Sequence, residues 1–319
     1  MSHEPSILII GIAGGLAQIT AQIITNNLPN AKITGVDMRP VSQLPKIKGV
    51  DYKRIKYSRG SFENLFRNHK FDYVFHLGRI SHSQKTTQQD LNRRLDLSVL
   101  GTKRILDLAL SFEVKKIVVL STFHVYGALP DNSVFLREDS PLKAVIRYPE
   151  LLDVVEMDQV ASNWMWKNQN QVETIILRPC NIVGRQIRNS ISKYLNSNFA
   201  FMPIDYNPHF QFIHEFDMAN ILFKCLQDLP TGIYNVATDE HISIKKALNI
   251  TKAGKIPFPM SLASFMARAG KQLNSYIPDY LIDYLKYPCL IDNSELKKHL
   301  DDDFFRFSIE DTLSLIRLS

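Results

Sequence analysis

Gly11, Gly14 and Ala17 stand at the spacing GxxGxx(G/A) in the stretch SILIIGIAGGLAQ, residues 6–18. Glycine at a tight turn lets the backbone approach a diphosphate closely. The free N–H groups of a helix that starts there, around Gly15 and Leu16, favour its negative charge. Twenty positions after Ala17, Asp37 closes a second apolar run at residues 33–36. A carboxylate in that place accepts a hydrogen bond from a ribose 2′-hydroxyl and repels a 2′-phosphate, so the set points to a dinucleotide, NAD before NADP. Arg39, two residues on, keeps NADP as the minor alternative. A glycine triplet alone is a weak signal, because glycines end many ordinary strands. Here a strand precedes it and a helix follows.

The elements that must position these residues alternate along the chain. After Asp37 a loop rich in Pro and Lys leads to a short strand at 51–57. FDYVFHL at 71–77 reads as a buried strand whose end, Leu77 and Gly78, faces the ligand again. Apolar residues at mostly helical spacing predict one long helix over 88–112. KIVVL at 116–120 has no polar face, as expected for the middle of a parallel sheet covered on both sides, and it ends at Ser121. A helix at 151–167, a strand at 174–177, a helix at 216–227 and a strand at 232–236 follow. Beyond Asp239 short amphipathic helices are expected, broken at Pro257, Pro259, Pro278 and Pro288. Ser308 and Asp311 fit a capping box for a last helix over 309–318. The alternation predicts an α/β protein, a Rossmann-type doubly wound parallel sheet with a smaller C-terminal substrate lobe. Residues 1–180, with 211–238 returning to them, form the dinucleotide-binding part; 181–210 and 239–319 form the lobe.

The 319 residues carry a formal net charge of +6, but Lys and Arg are scattered, which argues against nucleic acid as a partner. Cys180, Cys225 and Cys289 lie far apart, in no ligand spacing, so neither a disulfide framework nor a metal site is expected. No charged n-region and apolar core mark a signal peptide, and no apolar run reaches membrane-span length. The expectation is a soluble protein of a reducing cytoplasm. The aromatic and methionine-rich stretch 258–287 leaves a lipophilic substrate open, although such residues commonly make an ordinary core.

GIAGGLA at 11–17, VD at 36–37, FHL at 75–77, GT at 101–102, KKIVVLSTFHVYG at 115–127, ED at 138–139, LRPCNIVG at 177–184 and FIHEFDMA at 212–219 occur in one order along nearly the whole chain. Together they resemble the extended short-chain dehydrogenases/reductases of the NAD-dependent epimerase/dehydratase type. The resemblance implies a nicotinamide cofactor also contacted at Ser121 and Pro179, and a catalytic hydroxyl at Thr122 that bonds the reacting oxygen. It implies a substrate side lined by Arg79, His124, Asn181 and His214, although His124 alone would read as a packed or capping residue. It also implies homodimers formed through the helices at 88–112 and 151–167.

The family's tyrosine four residues before a lysine is missing. Tyr148 is the tyrosine in the right region, but position 152 is Leu, and no lysine occurs between Lys143 and Lys167. The lysine of the pattern holds ribose hydroxyls and lowers the tyrosine pKa. Without it about one tyrosine in a thousand is phenolate at pH 7, a handicap of about 4 kcal/mol for base catalysis. Arg147, Lys143 and Arg79 are candidates for a substitute charge. Ser98 replaces an asparagine of the pattern, and Ser61 an acidic adenine contact. Two functions remain open. One is hydride transfer between NAD and a nucleotide sugar or similar hydroxylated molecule, with Tyr148 as the acid/base. The other is an inactive NAD or metabolite sensor, or a partner protein.

Overall fold

The structure, a computed structural model, describes residues 4–40, 46–78, 88–262 and 279–318. Seven strands form one sheet: β1 (Ser6–Ile10), β2 (Lys32–Asp37), β3 (Val50–Arg54), β4 (Tyr73–His76), β5 (Lys116–Leu120), β6 (Glu173–Pro179) and β7 (Gly232–Val236). Their order is β7-β6-β5-β4-β1-β2-β3, and every neighbouring pair is parallel. The order reverses between β1 and β4, so the crevice beyond the ends of these two strands is where an open α/β sheet binds ligands.

Alternation of side chains along each strand splits the core in two. Ile7, Ile9, Phe75 and Val118 pack on one face, where α1 (Gly15–Asn27) meets Ile221 and Leu222 of the helix Glu215–Gln227. Leu8, Ile10, Val74, Ile117 and Val119 pack on the other, against α2 (Arg59–Asn68), α4 (Gly101–Ser111) and α5 (Leu152–Asn168). With both faces covered, β5 is buried at every residue, Lys116 included. The Lys116 ammonium survives there by bonding to the Leu229 carbonyl and Glu173.

The single long helix expected over 88–112 is interrupted. α3 (Gln88–Leu95) passes into a π-helical turn, Asp96–Leu100, before α4 begins at Gly101. The Tyr57 ring explains why glycine stands there, because its atoms lie 3.2 Å from where a Gly101 Cβ would be. π turns of this kind are frequent at functional sites.

Past the main sheet, short strand pairs join distant segments. Asn181–Val183 runs parallel to Phe212–His214, Ala200–Pro203 to Lys255–Phe258, and Phe135–Leu136 to Leu290–Ile291. Pro257 thus sits in a two-stranded ribbon instead of breaking a helix, as edge strands permit. Pro278 lies outside the described residues. Ser308 caps the last helix by accepting the Asp311 N–H at 3.1 Å, but that helix, Ile309–Ser314, tightens into a 3₁₀ turn at Leu315–Leu318. Among the described residues no helix is long and apolar enough to cross a membrane.

Candidate functional site

The turn after β1 is shaped by backbone requirements. Gly11 has φ of +88°, and its N–H donates to Val36 O at 2.9 Å. A Cβ on it would fall 2.5 Å from Gly78 Cα, which brings the end of β4 against the turn. Gly14 precedes α1 and contributes no side-chain cap, and the first turn of α1 has no acidic residue. The N–H groups there are left to an anion. Asp37, at the end of β2, accepts the Ala13 N–H at 3.1 Å and, from Arg39, the backbone N–H at 3.0 Å and Nε at 3.2 Å.

A cavity of about 480 Å³ lies over this turn. Gly11, Gly14, Gly15, Leu16, Asp37, Arg39, Leu77 and Gly78 line it, as does Ser98 on the π turn. Ala17 instead faces the core of α1, Ser121 is fully buried, and Pro179 lines a second cavity. Arg79 lies outside the described residues. An uncapped helix start, two glycines whose Cβ positions are occupied by backbone, and a carboxylate at the end of β2 are what a dinucleotide requires, so the residues fit one. Among the described residues no three metal-ligating side chains cluster.

Tyr57 also lines this cavity. Its hydroxyl is 3.4 Å from His76 Nδ1, and His76 Nε2 is 2.8 Å from Thr102 Oγ1. Burial holds the His76 imidazole down to about 4, hence neutral, and pushes the Tyr57 phenol up, with Asp37 adding to the rise. Ser61 lies in the first turn of α2, where its backbone N–H bonds the capping Ser58. Tyr57, four residues earlier, stands at the cavity instead.

The second cavity, about 290 Å³, shares Ile182, Ile187, Arg188 and Asn189 with the first. Thr122, His124, Asn181 and Tyr280 are on its wall. Thr122 Oγ1 is 3.4 Å from the His124 N–H, which it caps. The His124 ring is packed among Phe123, Tyr280 and Tyr284, with centroids 4.2, 5.3 and 5.0 Å away. Asn181 donates to Gln211 O at 3.0 Å. His214 lines neither cavity. Its Nδ1 accepts the Phe216 N–H, its ring stacks on Phe307 at 3.8 Å, and burial holds it down to about 4.

Tyr148 lines neither cavity either. Its hydroxyl donates to Ala128 O at 3.1 Å and to Asp283 Oδ2 at 2.9 Å, and Arg147 Nε bonds the same carboxylate at 2.7 Å. Burial and Asp283 together hold the phenol far above its ordinary pKa. A carboxylate has the opposite effect from a lysine: it keeps the proton on. Lys143 pairs with Asp131. Neither Lys143 nor Arg147 therefore offers a free charge.

The model of the NAD dependent epimerase/dehydratase family matches residues 7–237. The chain belongs to this family. An uncharacterised protein of Mycobacterium tuberculosis is 22% identical over 308 residues, covering 90% of this chain and 80% of its own. Among solved structures, UDP-glucose 4-epimerase of Thermotoga maritima, with UDP-glucose, matches with a TM-score of 0.75 at 15% identity, covering 98% of this chain and 97% of its own. The Bordetella bronchiseptica enzyme WbmG, with NAD and UDP, matches with a TM-score of 0.71 at 18% identity, over 98% and 94%. At such identities the structural likeness shows the fold alone.

Several motif residues of this epimerase/dehydratase-family chain form one buried network. Arg178 makes a two-pronged pair with Asp158, at 2.7 and 3.0 Å, and donates to the Tyr126 hydroxyl and Glu138 O, both at 2.9 Å. Tyr126 donates to Asn235 Oδ1 at 2.8 Å, and Ser121 to Asp158. Arg178 is thus satisfied although almost fully buried, and burial still pushes Tyr126 up to about 12. The network ties the ends of β5, β6 and β7 to α5. Removing one partner of such a pair costs about 3–5 kcal/mol. These residues fix the floor beneath Thr122 and line neither cavity. Tyr57, Tyr280 and the loop 185–189 went unread in the sequence. Counting from the end of β3 finds Tyr57, whereas no periodicity marks the other two.

Proposed function

We propose that this chain binds NAD in the first cavity and a hydroxylated small molecule, such as a nucleotide sugar, in the second, and moves a hydride between them. The observation that carries the reading is the shared wall of the two cavities at Ile182, Ile187, Arg188 and Asn189. The N–H groups at the start of α1 would hold the diphosphate, and Asp37 the adenosine ribose, with NADP disfavoured by its charge. NAD, when bound, accepts or returns the hydride. Thr122 donates its hydroxyl proton toward the reacting oxygen, with His124, Asn181 and Tyr280 shaping the space around it. UDP-glucose in the Thermotoga epimerase and NAD with UDP in WbmG support this pairing of ligands. Exposed Leu100 and Trp166, on the π turn and α5, support homodimers through these helices.

One observation favours the second reading, a protein that binds NAD without turnover: the Tyr148 phenol is held protonated against Asp283. Purified protein is expected to copurify with NAD(H) or to melt several degrees higher when it is added; failure of both sinks either reading. Formation of an epimerised, dehydrated or oxidised product from UDP-glucose or dTDP-glucose then separates them. Under the first reading Thr122→Val lowers the rate of hydride transfer at least about tenfold while NAD affinity holds.

A further inference from the structure

Arg188 lines both cavities. The loop that carries it is fixed from three directions. The Glu215 carboxylate accepts the N–H groups of Arg185 at 3.0 Å and Gln186 at 2.9 Å. The Gln186 carbonyl oxygen occupies the space beside Gly15, 2.2 Å from where a Cβ would stand. Asn189 donates to Ile182 O at 2.8 Å and accepts the Ser192 N–H at 2.8 Å. The backbone of Arg188 is thus held firmly while its side chain stays exposed at the junction.

Its charge is not balanced there. Among the described residues no carboxylate pairs with the Arg188 guanidinium. Several other cations near the site are engaged among the described residues, Arg39 with Asp37, Lys143 with Asp131, Arg147 with Asp283 and Arg178 with Asp158. Asp37 is, among the described residues, the sole carboxylate on either cavity wall, and it already faces Arg39. With adenosine at Asp37 and the diphosphate at the helix start, the nicotinamide of a bound cofactor is left the end where the cavities meet.

We propose that Arg188 makes this site prefer NADH over NAD⁺, its positive charge disfavouring the cationic nicotinamide ring and leaving the neutral dihydronicotinamide unaffected. Position 152, where the family pattern has its lysine, is Leu, and the 184–189 loop brings a cation, Arg188, to the junction of the two cavities. The inference rests on the NAD-binding reading of the first cavity. It predicts that the isolated protein carries predominantly the reduced cofactor.

The test measures dissociation constants of NAD⁺ and NADH for the full chain at low salt, in wild type, Arg188→Gln and Arg188→Lys. Wild type is expected to bind NADH the tighter. Arg188→Gln should narrow the ratio of the two constants about fivefold, the effect of one unit charge across a half-wet cleft. Arg188→Lys should keep the ratio to within about twofold, and high salt should shrink it in wild type, because the group is exposed. An unchanged ratio in Arg188→Gln, an equal loss of both cofactor forms, or an Arg188→Lys that behaves like Arg188→Gln overturns the proposal. Wild type that binds neither form overturns the NAD-binding reading instead.

Discussion

The glycine turn after β1 carries a family motif and Tyr148 is the tyrosine in the region of a missing one, and the structure treats them in opposite ways. At the turn, polar groups are left open: α1 has no side-chain cap, and Gly11 and Gly15 give their Cβ space to backbone. At Tyr148, every polar group is closed: the phenol meets Ala128 O and Asp283, and Asp283 meets Arg147. One arrangement stores unmet hydrogen-bonding capacity for a ligand, and the other spends it on tertiary structure. A motif residue is informative about function only when its polar atoms remain available.

The contrast breaks most visibly at Gly11. Valine there must take a positive φ that β-branched residues avoid, with a Cβ 2.5 Å from Gly78 Cα. A stability loss of about 3 kcal/mol and an NAD affinity lowered more than about thirtyfold are expected, from denaturant melts and titration calorimetry. Gly60 is the comparison, since nothing lies within 4 Å of its Cβ position. Gly60→Ala should leave both quantities near wild type. Equal effects at the two glycines would show that the turn is not shaped for a ligand.

Tyr148→Phe carries a smaller effect. It removes one hydroxyl that satisfies two acceptors, so about 1–2 kcal/mol of stability should go, with NAD affinity unchanged within about twofold. A rate of NAD-linked turnover that fell a hundredfold in a well-folded variant would place the phenol at the reacting atoms in another arrangement of the 279–284 helix. That result would dissolve the contrast.

How much could be read beforehand follows the same division. Strands β1, β4 and β5 were legible because burial on both faces writes continuous apolar runs, and the cradle because its glycines answer to backbone geometry. Tyr148's fate was not legible. Its partner Asp283 is 135 positions away, and a pairing over that distance leaves no local pattern. The glycine that follows the π turn answers to a similarly distant residue, since the Tyr57 ring, three positions past β3, fills the space beside Gly101. His214 reads in sequence like a substrate ligand but serves as a helix cap. Its neighbour Glu215, one position on, holds the loop that borders both cavities.

That neighbour gives the smallest and most discriminating prediction. Glu215→Gln keeps one acceptor for the Arg185 and Gln186 N–H groups and turns an amide N–H₂ toward the other. Gln186 remains wedged beside Gly15, so the loop should loosen without leaving, and NAD affinity should weaken about threefold. The acid form of Glu215 mimics that loss. Burial raises its carboxyl above the ordinary value, so the folded protein takes up the proton at higher pH than the unfolded chain does. This group's contribution to stability therefore increases as pH falls through the folded value toward the unfolded one, while the loop it holds loses an acceptor. In wild type, acidification over that window should weaken NAD binding as the Glu215 share of stability rises. In Glu215→Gln both dependences should vanish together, measured as the pH course of affinity and of the melting midpoint. A carboxylate that merely packed against the loop would change the melting midpoint and leave the affinity flat.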